Sequence, residues 1–472
     1  MSNSSPQMGR VRRIHFVGIG GVGMSGIAEV LLTQGYEISG SDLHESKIIQ
    51  RLSQLGANIY LSHSGEWVKD ADVVVVSSAI DPSNPEVSTA KELDIPIIPR
   101  AEMLAELMRF QYGIAVAGTH GKTTTTSLLA HLLATAGLDP TYVIGGVLNH
   151  LGSNAYLGKG KFLVAEADES DASFLYLKPM MAVVTNINKD HLHTYGGDVN
   201  QLSQAFKTFI QQLPFYGLVV MCLDDLGVQA LLPAVTRPFL TYGFHPEAMF
   251  RATDYACQAG MSLFKVMRPS GEALEVRLAL AGQHNVQNAL ATIAIATELG
   301  ISDEIIYQAL NSFQGVNRRF QQYGEFKTEQ GKFLLVDDYG HHPRELASTI
   351  QAARDVWPER RLVMVFQPHR YSRTQDLFQE FIEILSTVDQ LILLDIYAAG
   401  ETPILGISGK SLAEQLRQQS SNKEAIVFLE DDNNLADILL HTVRDQDIVL
   451  TQGAGTIGKL VAKLVEQDLK HA

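Results

Sequence analysis

Residues 113–137, GIAVAGTHGKTTTTSLLAHLLATAG, run a stretch of apolar β-formers into a glycine–lysine–threonine loop and out into a leucine-rich helical period. Few arrangements constrain a chain more. A strand ending in Gly118-Thr119-His120-Gly121-Lys122-Thr123-Thr124 must hand over at once to a helix. The N-terminus of that helix then presents unsatisfied N–H groups and the positive end of its dipole to whatever the loop encloses. Glycines let backbone N–H groups approach phosphate oxygens, Lys122 can reach the β- and γ-phosphates, and the hydroxyl of Thr123 or Thr124 can hold a metal. Leu128, Leu129, Leu132, Leu133 and Ala136 recur at helical spacing, so the element behind the loop has an apolar face to dock with. The loop is GxxGKT, shorter than the general GxxxxGK[ST] signature because Val116 stands where the first glycine would be. A nucleoside triphosphate is the class of ligand this loop calls for.

The rest of the chain repeats the pattern of apolar run, glycine-rich turn and helical period. Runs at 14–19, 72–76, 114–117, 181–185, 333–336, 362–366, 391–395 and 448–451 lack alternation, which marks strands buried on both faces of parallel, helix-covered sheets. At roughly 150 residues per domain, 472 residues suggest about three domains. Breaks are expected after the amphipathic AEMLAELMRFQYG stretch and at the polar GVNRRFQQYG, giving domains 1–112, 113–316 and 317–472. A helical stretch spans 283–312, and 236–278 reads as a β-rich, antiparallel addition to the central domain.

Composition removes several function classes. With 37 Lys plus Arg against 52 Asp plus Glu, the net charge of −15 does not suit a nonspecific nucleic-acid binder. Cys222 and Cys257 are the only cysteines, too few for a disulfide framework or a cysteine-built zinc site, and a reducing, cytoplasmic setting is expected. The opening MSNSSPQMGRVRRI has basic residues but no apolar segment behind them, and no run approaches the roughly 18 apolar residues of a membrane span. Neither secretion nor membrane association is expected, and a monomer or weak homodimer is.

A triphosphate site needs a divalent cation, and Mg²⁺ needs oxygen ligands, so carboxylates at the ends of neighbouring strands are the candidates. FLVAEADESD ends in Glu166, Asp168, Glu169 and Asp171, and VVTNINKDHLHTYGG ends in Asn186, Asp190, His191 and His193. Glu166 is the first choice for metal. Each cluster taken alone would also suit a solvated loop.

Near the N-terminus, Gly18-Ile19-Gly20-Gly21-Val22-Gly23 follows an apolar strand, and Asp42 closes a second one. Read literally this is a dinucleotide fingerprint, although the same backbone would serve any pyrophosphate, a nucleotide sugar included. Gly453, Gly455 and Gly458 repeat the spacing, where a tight strand-to-helix turn explains it equally well. In the C-terminal third, VDDYGHHPRE and FQPHRYSRT place Asp337, Asp338, Tyr339, His341 and His342, then His369, Arg370 and Arg373, just after strands. Clustered guanidinium and imidazole groups suggest recognition of carboxylate or phosphate. Arg318-Arg319 could clamp a nucleotide phosphate. His284, Asn285 and Asn288 open a helix, either exposed for base or ribose contacts or simply as N-cap residues.

Taken together, AGTHGKTTTT, EADESDASF, TNINKDHLHTYG, GQHNVQNALA, NRRFQ, DDYGHHPRE and PHRYSRT, in that order, closely resemble the Mur ligase family, from about residue 12 to the C-terminus. The opening GIGGVGMSGIAE resembles the members that add L-alanine rather than those that recycle a tripeptide onto the same sugar nucleotide. The resemblance implies a Rossmann-like N-terminal domain for the UDP-sugar, a central P-loop ATPase domain of mostly parallel sheet with a small antiparallel part, and a Rossmann-like C-terminal domain. It implies that ATP phosphorylates the carboxylate of UDP-N-acetylmuramate and that the amine of L-alanine attacks the acyl phosphate.

By motif, Gly18, Gly20, Gly21 and Gly23 would hold the UDP pyrophosphate, with Asp42, Ser77 and Ser78 near the uridine. Gly118 to Thr124, including Thr119, His120 and Gly121, would hold ATP, with His284 and Asn285 on the adenosine and Arg319 and Asp338 on phosphate and ribose. Thr123, Glu166 and His191 would bind Mg²⁺. Imidazole is an unusual ligand for that hard ion, so Mn²⁺ would be expected to substitute. Tyr339, His341, His369, Arg370 and Arg373 would meet the intermediate and the alanine carboxylate. Lys207 is out of register with the carbamylated lysine of sister ligases. From other classes, an NAD(P)-dependent oxidoreductase and a regulatory ATP switch without chemistry remain to be separated by cofactor binding and product formation.

Overall fold

The structure is a computed structural model and describes residues 8–77, 79–145, 154–419 and 423–466. Three sheets carry the fold. The first contains β1 (Arg13–Val17), β2 (Glu37–Ser41), β3 (Asn58–Tyr60), β4 (Val73–Val76) and β5 (Ile97–Pro99) in the order β3-β2-β1-β4-β5, all parallel. That is the Rossmann-like order, with its switch point at the C-terminal end of β1, where the first glycine loop begins.

The central sheet is built from β6 (Tyr112–Ala117), β7 (Thr141–Val143), β8 (Ala155–Tyr156), β9 (Phe162–Ala167), β10 (Met181–Val184), β11 (Leu218–Cys222), β12 (Phe239–Gly243), β13 (Phe250–Gln258), β14 (Met261–Met267) and β15 (Ala273–Leu278). Its order is β15-β14-β13-β12-β11-β10-β6-β9-β7-β8. β6 lies between β10 and β9, parallel to both, so the phosphate loop again leaves from a switch point. Ile114, Val116, Val164 and Val183 are fully buried, as expected for a sheet covered on both faces. Burying each such side chain contributes about 1.5–3 kcal/mol relative to exposure. The 236–278 segment departs from expectation at one strand. β12 runs parallel to β11 and β13, and only the later strands turn back as hairpins, the first through Ala259-Gly260 at φ 50° and 77°. The helical stretch at 283–312 is two helices, Gln283–Glu298 and Asp303–Ser312, separated by Gly300 at φ 71°.

The third sheet has β16 (Gln321–Thr328), β17 (Gly331–Asp338), β18 (Leu362–Phe366), β19 (Gln390–Leu393), β20 (Ile426–Phe428) and β21 (Asp447–Gln452), ordered β16-β17-β21-β18-β19-β20. The β16–β17 hairpin is antiparallel and every other pairing parallel. Separate apolar clusters cover its two faces, one around Val336, Leu346 and Phe366 and the other around Leu335, Val365 and Leu439.

The chain forms two compact units. One runs through Ala256 and includes Leu263–Ala279 and Asn285–Gln314; the other comprises Cys257–Ser262, Leu280–His284 and the chain from Gly315 onward. Among the described residues no helix is long and apolar enough to cross a membrane.

Candidate active site

The phosphate loop leaves β6 at Gly118, φ 132°, and enters the helix Lys122–Thr135 at Gly121, φ 82°. Both values lie where a side chain is strained, and both glycines are also crowded. A Cβ on Gly118 would strike Thr185 Oγ1, and one on Gly121 would stand 2.6 Å from Asn288 Oδ1. The end of β10 laces the loop down. Thr119 N donates to Asn186 O (3.1 Å), His120 N to Asn186 Oδ1 (2.9 Å), and Thr185 Oγ1 and Asn186 Nδ2 both donate to His120 O (2.6 and 3.0 Å). Gly121 has no side chain to cap the helix, so the first-turn N–H groups are directed at the loop's interior.

Lys122 folds over that loop. Its Nζ donates to Gly118 O (2.7 Å), Thr119 O (3.2 Å) and Glu169 Oε2 (2.7 Å). Burial works against the cation, but Glu169, Asp168 and Glu166 outweigh it and raise its pKa. Glu169, 2% exposed, is itself pushed up by burial and by Asp168, against the pull of Lys122. Asp168 goes the other way: burial is opposed by Lys122, the N–H of Ser170 and Arg100, and the carboxyl stays below its usual range.

Glu166 stands directly beside Val116 in the sheet register, one strand over from the chain that feeds the loop, and its Oε1 accepts from Gly145 N (2.7 Å). Thr123 lies in the first helical turn, 8% exposed. His191 has a left-handed backbone, φ 53°, and its Nε2 lies 3.5 Å from Asp190 Oδ2. Among the described residues no three His, Cys, Asp or Glu side chains converge into a metal cluster. A hydroxyl and one carboxylate beside a phosphate loop still fit Mg²⁺, which keeps several waters and shares its sphere with substrate phosphates.

In the first glycine loop the backbone is spoken for in part. Gly18 N and Ile19 N both donate to Ser41 O (2.9 Å each), and Gly20 N donates to Asp42 Oδ2 (2.9 Å). Asp42 Oδ1 accepts from Leu43 N and His44 N (2.8 and 3.2 Å), so this carboxylate braces the loop. In a dinucleotide site the corresponding acid serves the ribose. Gly21 precedes the helix Val22–Thr33, and Gly23 packs on Arg100, where a Cβ would meet Nη1 at 2.7 Å. Arg100 also lies 3.8 Å from Asp168. It lines a cavity of about 220 Å³ together with Ser77, Pro99, Asp171, Ser173 and Tyr176. Ser78 lies outside the described residues.

His284, Asn285 and Asn288 do not behave as an exposed helix start. Asn285 and Asn288 are 5% and 7% exposed, and the helix begins earlier, at Gln283, so neither is its N-cap. Asn288 Oδ1 accepts from Thr125 Oγ1 (3.1 Å) and its Nδ2 donates to Asn285 Oδ1 (3.3 Å), which ties this helix to the phosphate-loop helix. Burial, with Arg319, lowers the His284 pKa to about 4.

In the second unit Arg318 is structural. Its Nε donates to buried Asp337 (2.8 Å) and its Nη2 to Gly453 O (2.6 Å), and a Cβ on Gly458 would strike the guanidinium. The third glycine motif therefore makes room for this arginine, and the expected phosphate clamp narrows to Arg319. The ring of Tyr339 lies 5.3 Å from both guanidinium carbons. Asp338 accepts from Phe320 N (2.9 Å) and Gly340 N (2.7 Å), and burial raises its pKa. The helix Pro343–Val356 starts with a capping box between His342 and Glu345. His341 sits just before it, its ring 5.3 Å from that of His369; burial, then Arg373 and His369, lower its pKa to about 3 against the pull of Glu345. Arg373 Nη1 reaches His369 Nδ1 (3.2 Å) and O (3.3 Å), and Arg370 Nη1 reaches Glu401 (3.3 Å). The structure thus gathers Tyr339, His341, His369, Arg370 and Arg373 at the C-terminal ends of β17 and β18. Sequence reasoning missed Arg100, Tyr397 and Glu401. None carries a motif, and Glu401 lies 31 residues from the arginine it meets.

Three consecutive stretches of the chain match the Mur ligase family: its catalytic domain at 13–112, its middle domain at 116–296 and its glutamate ligase domain at 318–455. The chain belongs to the Mur ligase family. It is 56% identical over 471 residues to the UDP-N-acetylmuramate–L-alanine ligase of Legionella pneumophila (strain Corby), covering 99% of this chain and all of that protein. The crystal structure of UDP-N-acetylmuramate-alanine ligase from Thermotoga maritima superposes with a TM-score of 0.83 at 29% identity, covering 98% of this chain and all of that one. A murein peptide ligase of Psychrobacter arcticus shares the fold, with a TM-score of 0.72 at 23% identity over 98% of this chain and 99% of that one. As a Mur ligase the chain is an ATP-dependent, amide-bond-forming enzyme.

Proposed function

We propose that this Mur ligase joins L-alanine to the carboxylate of UDP-N-acetylmuramate at the expense of ATP, a cytoplasmic step of peptidoglycan precursor synthesis. The observation that carries the reading is Lys122, held over a capless helix N-terminus by two loop carbonyls and a buried carboxylate. It is joined by full-length 56% identity to a ligase of that name. Residues 1–112, 113–316 and 317–472 serve as the sugar-nucleotide, ATP and amino-acid domains in this reading.

Transfer of a phosphoryl group to a carboxylate brings anions together, so concentrated positive charge is the main requirement. Gly118 to Thr124 cradle the triphosphate, and Lys122 exchanges Glu169 for the γ-phosphate. Thr123, Glu166 and His191 are the residues that would hold Mg²⁺, which when bound supplies charge neutralisation at the phosphates. Asn285 and His284, neutral at physiological pH, serve the adenosine; Arg319 and Asp338 serve phosphate and ribose. Gly18, Gly20, Gly21 and Gly23, with Arg100, Ser77 and Ser78, receive the sugar nucleotide, and Asp42 supports that loop. Tyr339, His341, His369, Arg370 and Arg373 orient alanine by its carboxylate so that its amine attacks the acyl phosphate. The tetrahedral intermediate then expels phosphate.

The test is phosphate release with UDP-N-acetylmuramate, ATP and either free L-alanine or an alanine-headed tripeptide. Turnover with alanine is the expected result. Turnover with the tripeptide alone would assign the chain to the recycling activity, and tight NAD(P) binding without ATP hydrolysis would reject ligation altogether.

A further inference from the structure

We propose that Glu401 is a positioning residue for the amino-acid substrate, holding Arg370 in the orientation that receives the substrate carboxylate. This rests on the reading of Arg370 given above. The loop from Ile396 to Ser408, after β19, carries no recognisable motif, yet it grips the Gln367–Ser372 segment at both backbone and side chain. Tyr397 N donates to Pro368 O and Arg370 N donates to Tyr397 O, each 2.9 Å, as an isolated parallel bridge at His369. The rings of Tyr397 and His369 stack with centroids 5.6 Å apart. Arg370 itself has φ 73°, a conformation an arginine adopts only when its surroundings impose it.

Beyond the turn at Ala399 and Gly400, Glu401 comes back to the same segment. Its Oε1 accepts from Ser372 Oγ (2.6 Å) and Arg370 Nη1 (3.3 Å), and its Oε2 accepts from Ser372 N (3.0 Å). Both oxygens are thereby fixed on the helix Tyr371–Asp376, and the side chain is only 23% exposed. Burial opposes its charge, but Ser372 and Arg370 keep the carboxyl below its usual range. A carboxylate pinned by Ser372 is a fixed counter-charge. It takes one of the five guanidinium N–H groups and sets the plane of the fork that remains for a ligand carboxylate. Without it, a long side chain 37% exposed would sample several rotamers, and binding alanine would have to order it.

Steady-state phosphate release on the full chain tests this with E401Q, S372A, R370A and the R370A/E401Q pair. E401Q should raise KM for L-alanine about fivefold, and S372A about twofold, on the scale of a partly exposed ion pair. KM for ATP and for the sugar nucleotide should stay unchanged, and the melting temperature should fall by no more than a few degrees. R370A should raise KM for alanine further, and adding E401Q to it should change nothing more, because Glu401 acts through Arg370. If R370A leaves KM for alanine unaltered, the reading of Arg370 is wrong. If R370A raises it while E401Q does not, or if E401Q adds its full effect on top of R370A, Glu401 has no positioning role. Should E401Q fail to fold, S372A decides by the same measurement, an unchanged alanine KM overturning the proposal.

Discussion

Lys122 Nζ and Glu169 Oε2 lie 2.7 Å apart, with side chains 17% and 2% exposed, so the lysine of the phosphate loop has a protein anion as its partner before any nucleotide arrives. On the proposed function, nucleotide binding at this loop exchanges one anion for another. Removing either partner has distinguishable effects.

K122A strands the Glu169 carboxylate in a buried site. Truncating one member of a buried pair costs about 3–5 kcal/mol, with the lower end expected here because Glu169, its pKa already raised, can take a proton. Urea unfolding should show that loss for K122A, and K122A/E169Q should recover most of it. Turnover should fall about 100- to 1000-fold in K122A, on the scale of removing one donor to developing charge. Sugar-nucleotide binding measured by calorimetry should be nearly intact.

Arg100 lines the cavity beside Ser77 and Tyr176 and packs on the start of the first glycine-loop helix at Gly23. A guanidinium in that place suits the pyrophosphate or sugar acid of the UDP substrate. R100A should weaken UDP-N-acetylmuramate binding by about tenfold to a hundredfold, on the scale of one charge-assisted contact. ATP binding should not change. Calorimetry with each ligand separately checks both halves, and an equal loss for ATP would remove Arg100 from the sugar site.

The parallel strands were legible because burial on both faces leaves a continuous apolar run, and the phosphate loop because Gly, Lys and Thr must follow such a strand. What escaped is what tertiary packing decides. Lys122 meets Glu169 across 47 residues, and nothing in EADESD distinguishes that glutamate from Glu166. Asp42 sits where an acidic residue serves a ribose in dinucleotide folds, and its spacing gives no sign that its carboxylate also accepts from the N–H groups of Gly20, Leu43 and His44. Asn288 reads as an exposed polar residue at a helix start and instead is buried against Thr125. β12 reads as part of an antiparallel run because alternation cannot distinguish which neighbour a strand takes.

His341 supplies a pH dependence of known sign. Its folded pKa, lowered to about 3 chiefly by burial, lies below the unfolded value near 6.5, so the unfolded chain binds the proton more readily between those limits. The stabilisation is therefore complete above about pH 6.5 and is lost as pH falls toward the folded pKa. The urea midpoint should decline from pH 7 to pH 4, and H341N should make that decline shallower. An equally steep decline in H341N would mean that His341 titrates normally in the folded chain.

Gly121 offers the sharpest test of the loop, because two separate constraints meet at one position. Its φ of 82° strains any side chain, at a cost of about 1–2 kcal/mol. A methyl group there would also come within 2.6 Å of Asn288 Oδ1, the atom that accepts from Thr125. G121A should therefore tilt the first turn of Lys122–Thr135 and loosen the tie to Gln283–Glu298. ATP affinity should fall at least tenfold while the sugar nucleotide binds as before. N288A in the same background removes the steric conflict but not the φ strain. Partial recovery of ATP affinity in G121A/N288A over G121A, measured by calorimetry, is the expected outcome. No recovery would mean that backbone strain alone demands glycine at this position.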